Sequence, residues 1–382
     1  MHDFDAVIDR RGTSASKWDK YAGRDVLPFW VADMDFRTPD FILDALTQRI
    51  RHGIFGYTEV PAELIDAARA RLADDYGWHV LPEWLVCIPG VVPGLNLACR
   101  AVGARGDSVL VPVPVYYPFL SAPGYAERVR IEVPLELIGA RWEVPTEPLG
   151  RAMRSDTRLL LLCNPQNPTG RVYDRSELEA VADFCMRRGL VICSDEIHCA
   201  LVLDADKRHV PIATLAPEVA ARTITLIAAT KAYNIPGLAC GFAVIPDSDL
   251  RAAFTQARAG LVHGVGPLEY AAATAAYRDR STWLASLVAY LRANRDRLQR
   301  CIARLPGVSM AHVEATCLAW IDVRALALDD PGAFFERHGL GLSIGEQFGG
   351  PGFVRFNFGC PRVTLEEGLS RFERAVESAK RG

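Results

Sequence analysis

Lys231 stands in the run Ala228-Ala-Thr-Lys-Ala-Tyr-Asn234, and Glu218 is the only carboxylate between Asp206 and Asp247. A solvated lysine keeps charged company. One set among small apolar residues loses hydration, which lowers the ammonium pKa and frees the amine as a nucleophile. Asp195, in Ser194-Asp-Glu-Ile-His198, closes an apolar run. A buried acid there is costly unless it meets a cation, either a protonated heterocyclic nitrogen or an internal arginine. The segment alone leaves both open, and His198 by itself reads as a satisfied core histidine. Asn164 and Asn167 lie in Asn164-Pro-Gln-Asn-Pro-Thr-Gly170. A rigid turn explains the prolines and the glycine but not two amides so placed. Pro89-Gly-Val-Val-Pro-Gly-Leu-Asn96 offers the backbone N–H groups of a helix start to a phosphate. Gly/Pro strand-to-helix turns are common, however, and taken singly this one argues for structure.

All four segments follow short apolar runs: 85–88, 158–163, 190–194 and 223–228, with further runs at 108–113 and 241–245. Runs without polar alternation, joined by helices, predict a mainly parallel sheet covered on both faces, which binds ligands at its carboxyl ends. One such helix is predicted over 176–188, with Leu178, Val181, Ala182 and Cys185 on one face and Asp174 and Glu177 as a capping pair. Beyond residue 280 a long amphipathic helix is expected over 283–305, then strands at 317–323 and 353–358 and a terminal helix from Thr364. The expected division is an N-terminal segment (1–45) contributing to a small domain, a large domain (46–282) and a C-terminal small domain (283–382).

The 382 residues carry a net charge of −3, without the basic excess expected of a nucleic-acid or anionic-membrane binder. Ten cysteines are scattered without zinc-ligand spacing, which predicts reduced thiols, no metal and a cytoplasmic setting. No apolar stretch approaches the roughly 20 residues of a membrane span. Of 43 basic residues only five are lysines. Lys17, Lys20 and Lys380 fall in terminal polar segments and Lys207 in the charged loop Asp204-Ala-Asp-Lys-Arg208, which leaves Lys231 at a buried strand end. Arginine, with a pKa above about 12, could not form a Schiff base there.

An amide, an acid and a lysine on successive strand ends resemble the fold-type I pyridoxal-phosphate (PLP) enzymes of the aminotransferase class I/II superfamily. Trp30–Phe36, His52–Thr58, Gly90–Asn96, Pro114–Phe119, Asn164–Gly170, Ser194–His198, Thr230–Asn234 and Val354–Pro361 make the chain similar to the cystathionine β-lyase-like C–S lyases of the MalY/PatB group. The resemblance implies an α/β large domain with a seven-stranded, mainly parallel sheet, and a smaller α+β domain. It implies PLP bound to Lys231 as a Schiff base, Asp195 on the pyridine nitrogen, and Asn167 and His198 at the ring's 3′ oxygen. It further implies Tyr116 stacked on the ring, Asn164 among the cofactor-binding residues, and the amides of Val91 and Val92 with the Thr230 hydroxyl on the phosphate. Arg355 would clamp the substrate α-carboxylate, helped by Asn167 and Tyr117. Tyr57 would reach the neighbouring subunit's cofactor in a homodimer with shared sites.

Two positions depart from the wider superfamily, which typically has a serine three residues before the lysine and an arginine eight after it, both on the phosphate. Here they are Ala228 and Ala239, so weaker cofactor retention or a substitute donor is expected. Lack of the arginine is common in the lyase group. The implied reaction is therefore α,β-elimination from a cysteine S-conjugate such as cystathionine. The alternatives are an aminotransferase, a member specialised for secondary-metabolite tailoring, and a protein acting by binding a regulatory partner.

Overall fold

The computed structural model describes residues 2–379; Lys380 lies outside them. Seven strands form the main sheet: β1 (Leu85–Ile88), β2 (Ser108–Val113), β3 (Val129–Pro134), β4 (Thr157–Cys163), β5 (Val191–Asp195), β6 (Thr223–Ile227) and β7 (Gly241–Val244). Their order is β1-β7-β6-β5-β4-β2-β3, and only β7 runs antiparallel to its neighbours. The expected runs match these strands to within a residue or two. Sequence reading missed β3, because this edge strand keeps one buried residue, Val133, and lacks a continuous apolar run.

Helix α1 (Val91–Ala101) lies against one face of the sheet and α2 (Arg175–Arg188) against the other. Gly94 sets how closely α1 approaches: a Cβ there would meet Ile88 Cδ1 at 2.6 Å and Leu226 Cδ2 at 2.9 Å. Asp174 and Glu177 form the expected capping box on α2. Register then aligns the site. Cys163 pairs with Asp195, and Asp195 with Leu226, so β4, β5 and β6 end level and deliver their following loops to one edge.

The long helix Trp283–Ile302 stops three residues short of the expected end and leads to a second, antiparallel sheet. Its strands are β8 (Ser309–Met310), β9 (Leu318–Asp322), β10 (Ser343–Ile344) and β11 (Phe353–Asn357), in the order β8-β9-β11-β10. Leu27–Pro28 pairs in parallel with Leu340–Gly341, which ties the N-terminal segment to this part of the chain. The helix Asp40–His52 runs unbroken through residue 45. Lys17 also corrects an expectation. It is not a solvated terminal lysine: its side chain is fully buried, with Nζ 2.7 Å from Asp35 Oδ2.

Candidate active site

At the carboxyl edge of the sheet a cavity of about 230 Å³ is lined by Pro89–Pro93, Tyr116, Cys163, Asn167, Asp195, Ile197, His198, Thr230, Lys231, Pro236, Ala239 and Ala32. It brings together eight of the expected site residues: Val91, Val92, Tyr116, Asn167, Asp195, His198, Thr230 and Lys231. Each owes its place to a strand end and the loop after it.

Lys231 is partly exposed to the cavity, and its Nζ donates to the carbonyl oxygen of Ala32 at 2.8 Å. Burial, partly offset by Cys317 and Asp33, pulls its pKa below that of an ordinary lysine. Asp195 is buried, with Oδ1 accepting from the Ile197 N–H at 3.0 Å. Its pKa is pushed up to about 7, chiefly by burial, which the Ile197 N–H and Lys231 only partly oppose. A carboxylate so poorly compensated fits a cationic ring nitrogen brought in by a ligand. Burial, with Lys231 and Arg355 nearby, pulls His198 down to about 3, so the imidazole is neutral at ordinary pH. Its Nδ1 has no protein partner.

The donors at the other end of the cavity are backbone groups. Gly90, at φ +98°, precedes α1 and supplies no side-chain cap, so the first-turn N–H groups of Val91 and Val92 point out of the helix without intrahelical partners. With the Thr230 hydroxyl they fit a phosphate at a positive helix end. Ala239 lines this region and Ala228 does not. Lys231 is the only cation among the lining residues, so the cradle is electrically neutral as this chain presents it.

Arg355 lies behind Asn167, 2% exposed and outside the cavity lining. On β11 it stands between Trp320 of β9 and Ser343 of β10. Nη1 donates to Asn167 Oδ1 at 2.9 Å, and Nη2 to Trp30 O at 2.6 Å and Ser343 Oγ at 3.3 Å. Among the described residues no carboxylate pairs with it and its Nε has no partner, while burial pulls its pKa down to about 10. A buried guanidinium met only by neutral acceptors fits a carboxylate ligand. The same contact occupies Asn167 Oδ1, which leaves Nδ2 as the free donor.

Three expected residues lie elsewhere. Asn164 is fully buried and holds its own loop, accepting from the Tyr173 N–H at 3.1 Å. Tyr117 is half-exposed beside Tyr116, with ring centroids 4.6 Å apart. Tyr57 is fully exposed, within a segment (51–60) that is exposed throughout, and does not line this chain's cavity. Sequence reasoning missed Ala32, whose contribution is a carbonyl and carries no residue-type signal. The two acids Asp33 and Asp35 in the otherwise apolar Trp30–Phe36 were the available clue.

The large sheet, the strand-end lysine and acid, and the helix-start cradle together define a class. The chain belongs to the aminotransferase class I and II family, whose description matches residues 24–372. Among curated proteins it is 36% identical to cystathionine beta-lyase PatB of Bacillus subtilis, over 98% of this chain and 99% of PatB. Among solved structures it matches OvoB with a TM-score of 0.96 and 48% identity, covering 98% of this chain and 99% of that one. Cystalysin from Treponema denticola, whose structure contains a PLP cofactor, matches with a TM-score of 0.94 and 29% identity over 99% of both chains.

Proposed function

We propose that the protein is a PLP-dependent carbon–sulfur β-lyase that converts a cysteine S-conjugate and water to a thiol, pyruvate and ammonia. The observation that carries this reading is the cavity in which an amine of lowered pKa, a carboxylate without its cation and a neutral helix-start cradle converge. Likeness to PatB, a cystathionine beta-lyase, and to PLP-containing cystalysin supports both the cofactor and the bond broken. PLP, when bound, supplies an aldehyde that condenses with amines and a pyridinium ring that accepts the electron pair left at Cα.

The chain's own groups divide the work. Asp195 would hold the ring nitrogen's proton, and in doing so would gain the cation that its burial otherwise denies it. Asn167 Nδ2 and neutral His198 would bind the ring oxygen, Tyr116 would stack on the ring, and the Val91 and Val92 N–H groups with Thr230 Oγ1 would hold the phosphate. Asn164, whose buried Nδ2 has no protein partner, would add a donor on the cofactor side of the loop that carries Asn167. Arg355, with Asn167 and Tyr117, binds the substrate α-carboxylate. Lys231 Nζ, whose lowered pKa favours the free amine, takes the Cα proton, and the sulfur then leaves from Cβ with the bond's electron pair. Proton delivery to that sulfur gives the thiol.

Full exposure of Tyr57, with Ile54 and Phe55 beside it, supports a homodimer in which Tyr57 completes the partner's cradle. The pairing of Leu27–Pro28 with Leu340–Gly341 supports a division into an N-terminal segment (1–45) that joins a C-terminal small domain (283–382), with a large domain (46–282) between them. Ten free cysteines, with no helix among the described residues long and apolar enough to cross a membrane, support a cytoplasmic setting. The test is incubation of the purified protein with PLP and cystathionine. Equimolar thiol and pyruvate are expected without any added oxo acid; a 2-oxo product that appears only with an amino acceptor would make it a transaminase. Sedimentation, and recovery of activity on mixing inactive Tyr57→Phe and Lys231→Ala chains, checks the shared site.

A further inference from the structure

The lysine amine and the buried guanidinium, which come from different sheets, are each held by a backbone carbonyl of one seven-residue strap, Trp30–Phe36. Arg355 Nη2 donates to Trp30 O at 2.6 Å, and Lys231 Nζ donates to Ala32 O at 2.8 Å. The strap has no regular secondary structure beyond bends and turns, so its carbonyls are placed by the side chains that grip it.

Those grips come from three directions. From the N-terminal side, Lys17 Nζ donates to Asp33 O at 3.1 Å and pairs with Asp35, while Lys17 O accepts from Trp30 Nε1 at 3.1 Å. From the small sheet, Asn357 Nδ2 donates to Val31 O at 2.6 Å and Asp33 O at 2.7 Å. From the loop of the catalytic lysine itself, Asn234 Oδ1 accepts from Met34 N–H at 2.8 Å, and its Nδ2 donates to Met34 O and Phe36 O, each at 2.8 Å. Asn234 lies three residues after Lys231 at φ +53°, a left-handed conformation that asparagine tolerates better than most residues.

We propose that the strap sets the catalytic amine and the carboxylate clamp through separate grips, the amine from the Asn234 side of Ala32 and the clamp from the Trp30 end. Asn234 is the positioning residue for Lys231 through Ala32 O, and Trp30 is the positioning residue for Arg355. This rests on the lyase reading for the roles of the amine and the clamp. Whenever the Lys231 amine is free, Ala32 O is its hydrogen-bond acceptor, and that bond fixes where Nζ lies when it takes a proton. Arg355 also keeps Asn167 and Ser343, so a slack C-terminal half of the strap misplaces the amine more than the clamp. Loosening the Trp30 end, through the Trp30–Lys17 bond, leaves Trp30 O with only Ser343 Oγ, at 2.6 Å, to hold it against Arg355 and reverses the balance.

The test uses two variants and a measurement that needs no cofactor. Asn234→Gly removes the three bonds while keeping a residue at ease at positive φ, and it changes no charge near Lys231. In the full chain freed of cofactor, Lys231 is trace-acetylated with acetic anhydride and read by peptide mass spectrometry against exposed Lys20. A carbonyl stabilises an ammonium more than an amine, so its loss frees more amine, and Lys231 in Asn234→Gly should label about fivefold faster at pH 7. In the loaded enzyme its kcat should fall at least ~10-fold with KM within ~3-fold, as expected of a misplaced proton acceptor. Trp30→Phe should instead raise KM about 5-fold or more, with kcat and Lys231 labelling near wild type. Wild-type labelling in Asn234→Gly overturns the proposal, as does a proportional change of kcat and KM in both variants. If Asn234→Gly does not fold, Trp30→Phe decides, and an unchanged KM overturns it. Absence of thiol release from the wild-type chain would sink the lyase reading, while the labelling comparison would still decide the strap.

Discussion

Arg171 and Arg355 are both buried guanidiniums, wired in opposite ways. Arg171, 1% exposed, has Nη1 2.6 Å from Glu314 Oε2, Nη2 2.5 Å from Glu177 Oε1 and Nε 2.9 Å from Trp142 O. Lys207 and Asp174 extend that node at 2.6 Å, and Arg141 reaches Asp174 at 2.8 Å. Arg355 hydrogen-bonds only to an amide, a hydroxyl and a carbonyl among the described residues, with its guanidinium over the Phe348 ring. The lysines repeat the contrast, Lys17 on Asp35 and Lys231 on a carbonyl. A buried charge that has found its counter-charge serves architecture. One left with neutral acceptors is poised for a ligand that completes the balance, because an uncompensated charge in a poor dielectric is otherwise selected against by stability alone.

Substitutions break this comparison along different axes. Lys231→Ala should lower thiol release by at least about 10⁴-fold with an unchanged melting temperature, since both the nucleophile and the proton acceptor go. Arg171→Met should do the reverse, costing about 3–5 kcal/mol in urea unfolding because Glu314 is left buried without its main partner, while the kcat of the folded fraction stays near wild type. Asp195→Asn tests the unbalanced acid. With a folded pKa of about 7 against an ordinary 3.8, the cofactor-free native state binds more protons than the unfolded chain across that window, so its stability falls as pH rises from about 4 to 7. The variant should therefore melt above wild type at pH 8 in the cofactor-free form, and converge with it near pH 4. Arg355→Lys should raise KM about 10- to 100-fold, by loss of bidentate geometry, without destabilising the fold. Lys207→Met, at the half-open rim of the Arg171 node, should change stability by no more than about 1 kcal/mol.

What could be read in the sequence divides along the same line. The strands that carry Asn167, Asp195 and Lys231 announce themselves as apolar runs because both faces of the sheet are covered, and an apolar run needs only neighbours of its own kind. Val129–Pro134 escaped because an edge strand sheds that signature. Lys17 was misplaced among solvated residues because its partner Asp35 lies 18 residues away, beyond any local pattern. Ala32 was invisible because carbonyls belong to every residue. Asn164 was assigned to the cofactor on its motif; its Oδ1 accepts from Tyr173 N–H, a partner nine residues on, and its buried Nδ2 has no protein partner. Side chains whose roles follow from local burial were legible; those defined by distant partners were not.

The cysteines carry one more consequence. On the lyase reading the protein releases thiols, and air turns released thiols into disulfides, which any available protein thiolate attacks, forming a mixed disulfide and expelling the other sulfur as a thiolate. Of the ten cysteines only Cys199 is not fully buried, and its thiol is pushed up to about 12 by burial. Cys99, Cys185 and Cys301 stand equally high, Cys317 at about 11, and Cys163, Cys193, Cys240 and Cys360 are also raised. Cys87 alone is lowered, and it faces Cys240 Sγ inside the core at 3.9 Å. The chain is thus insulated against its own effluent: a catalyst steeped in mixed disulfides that offers them almost no sulfur to capture.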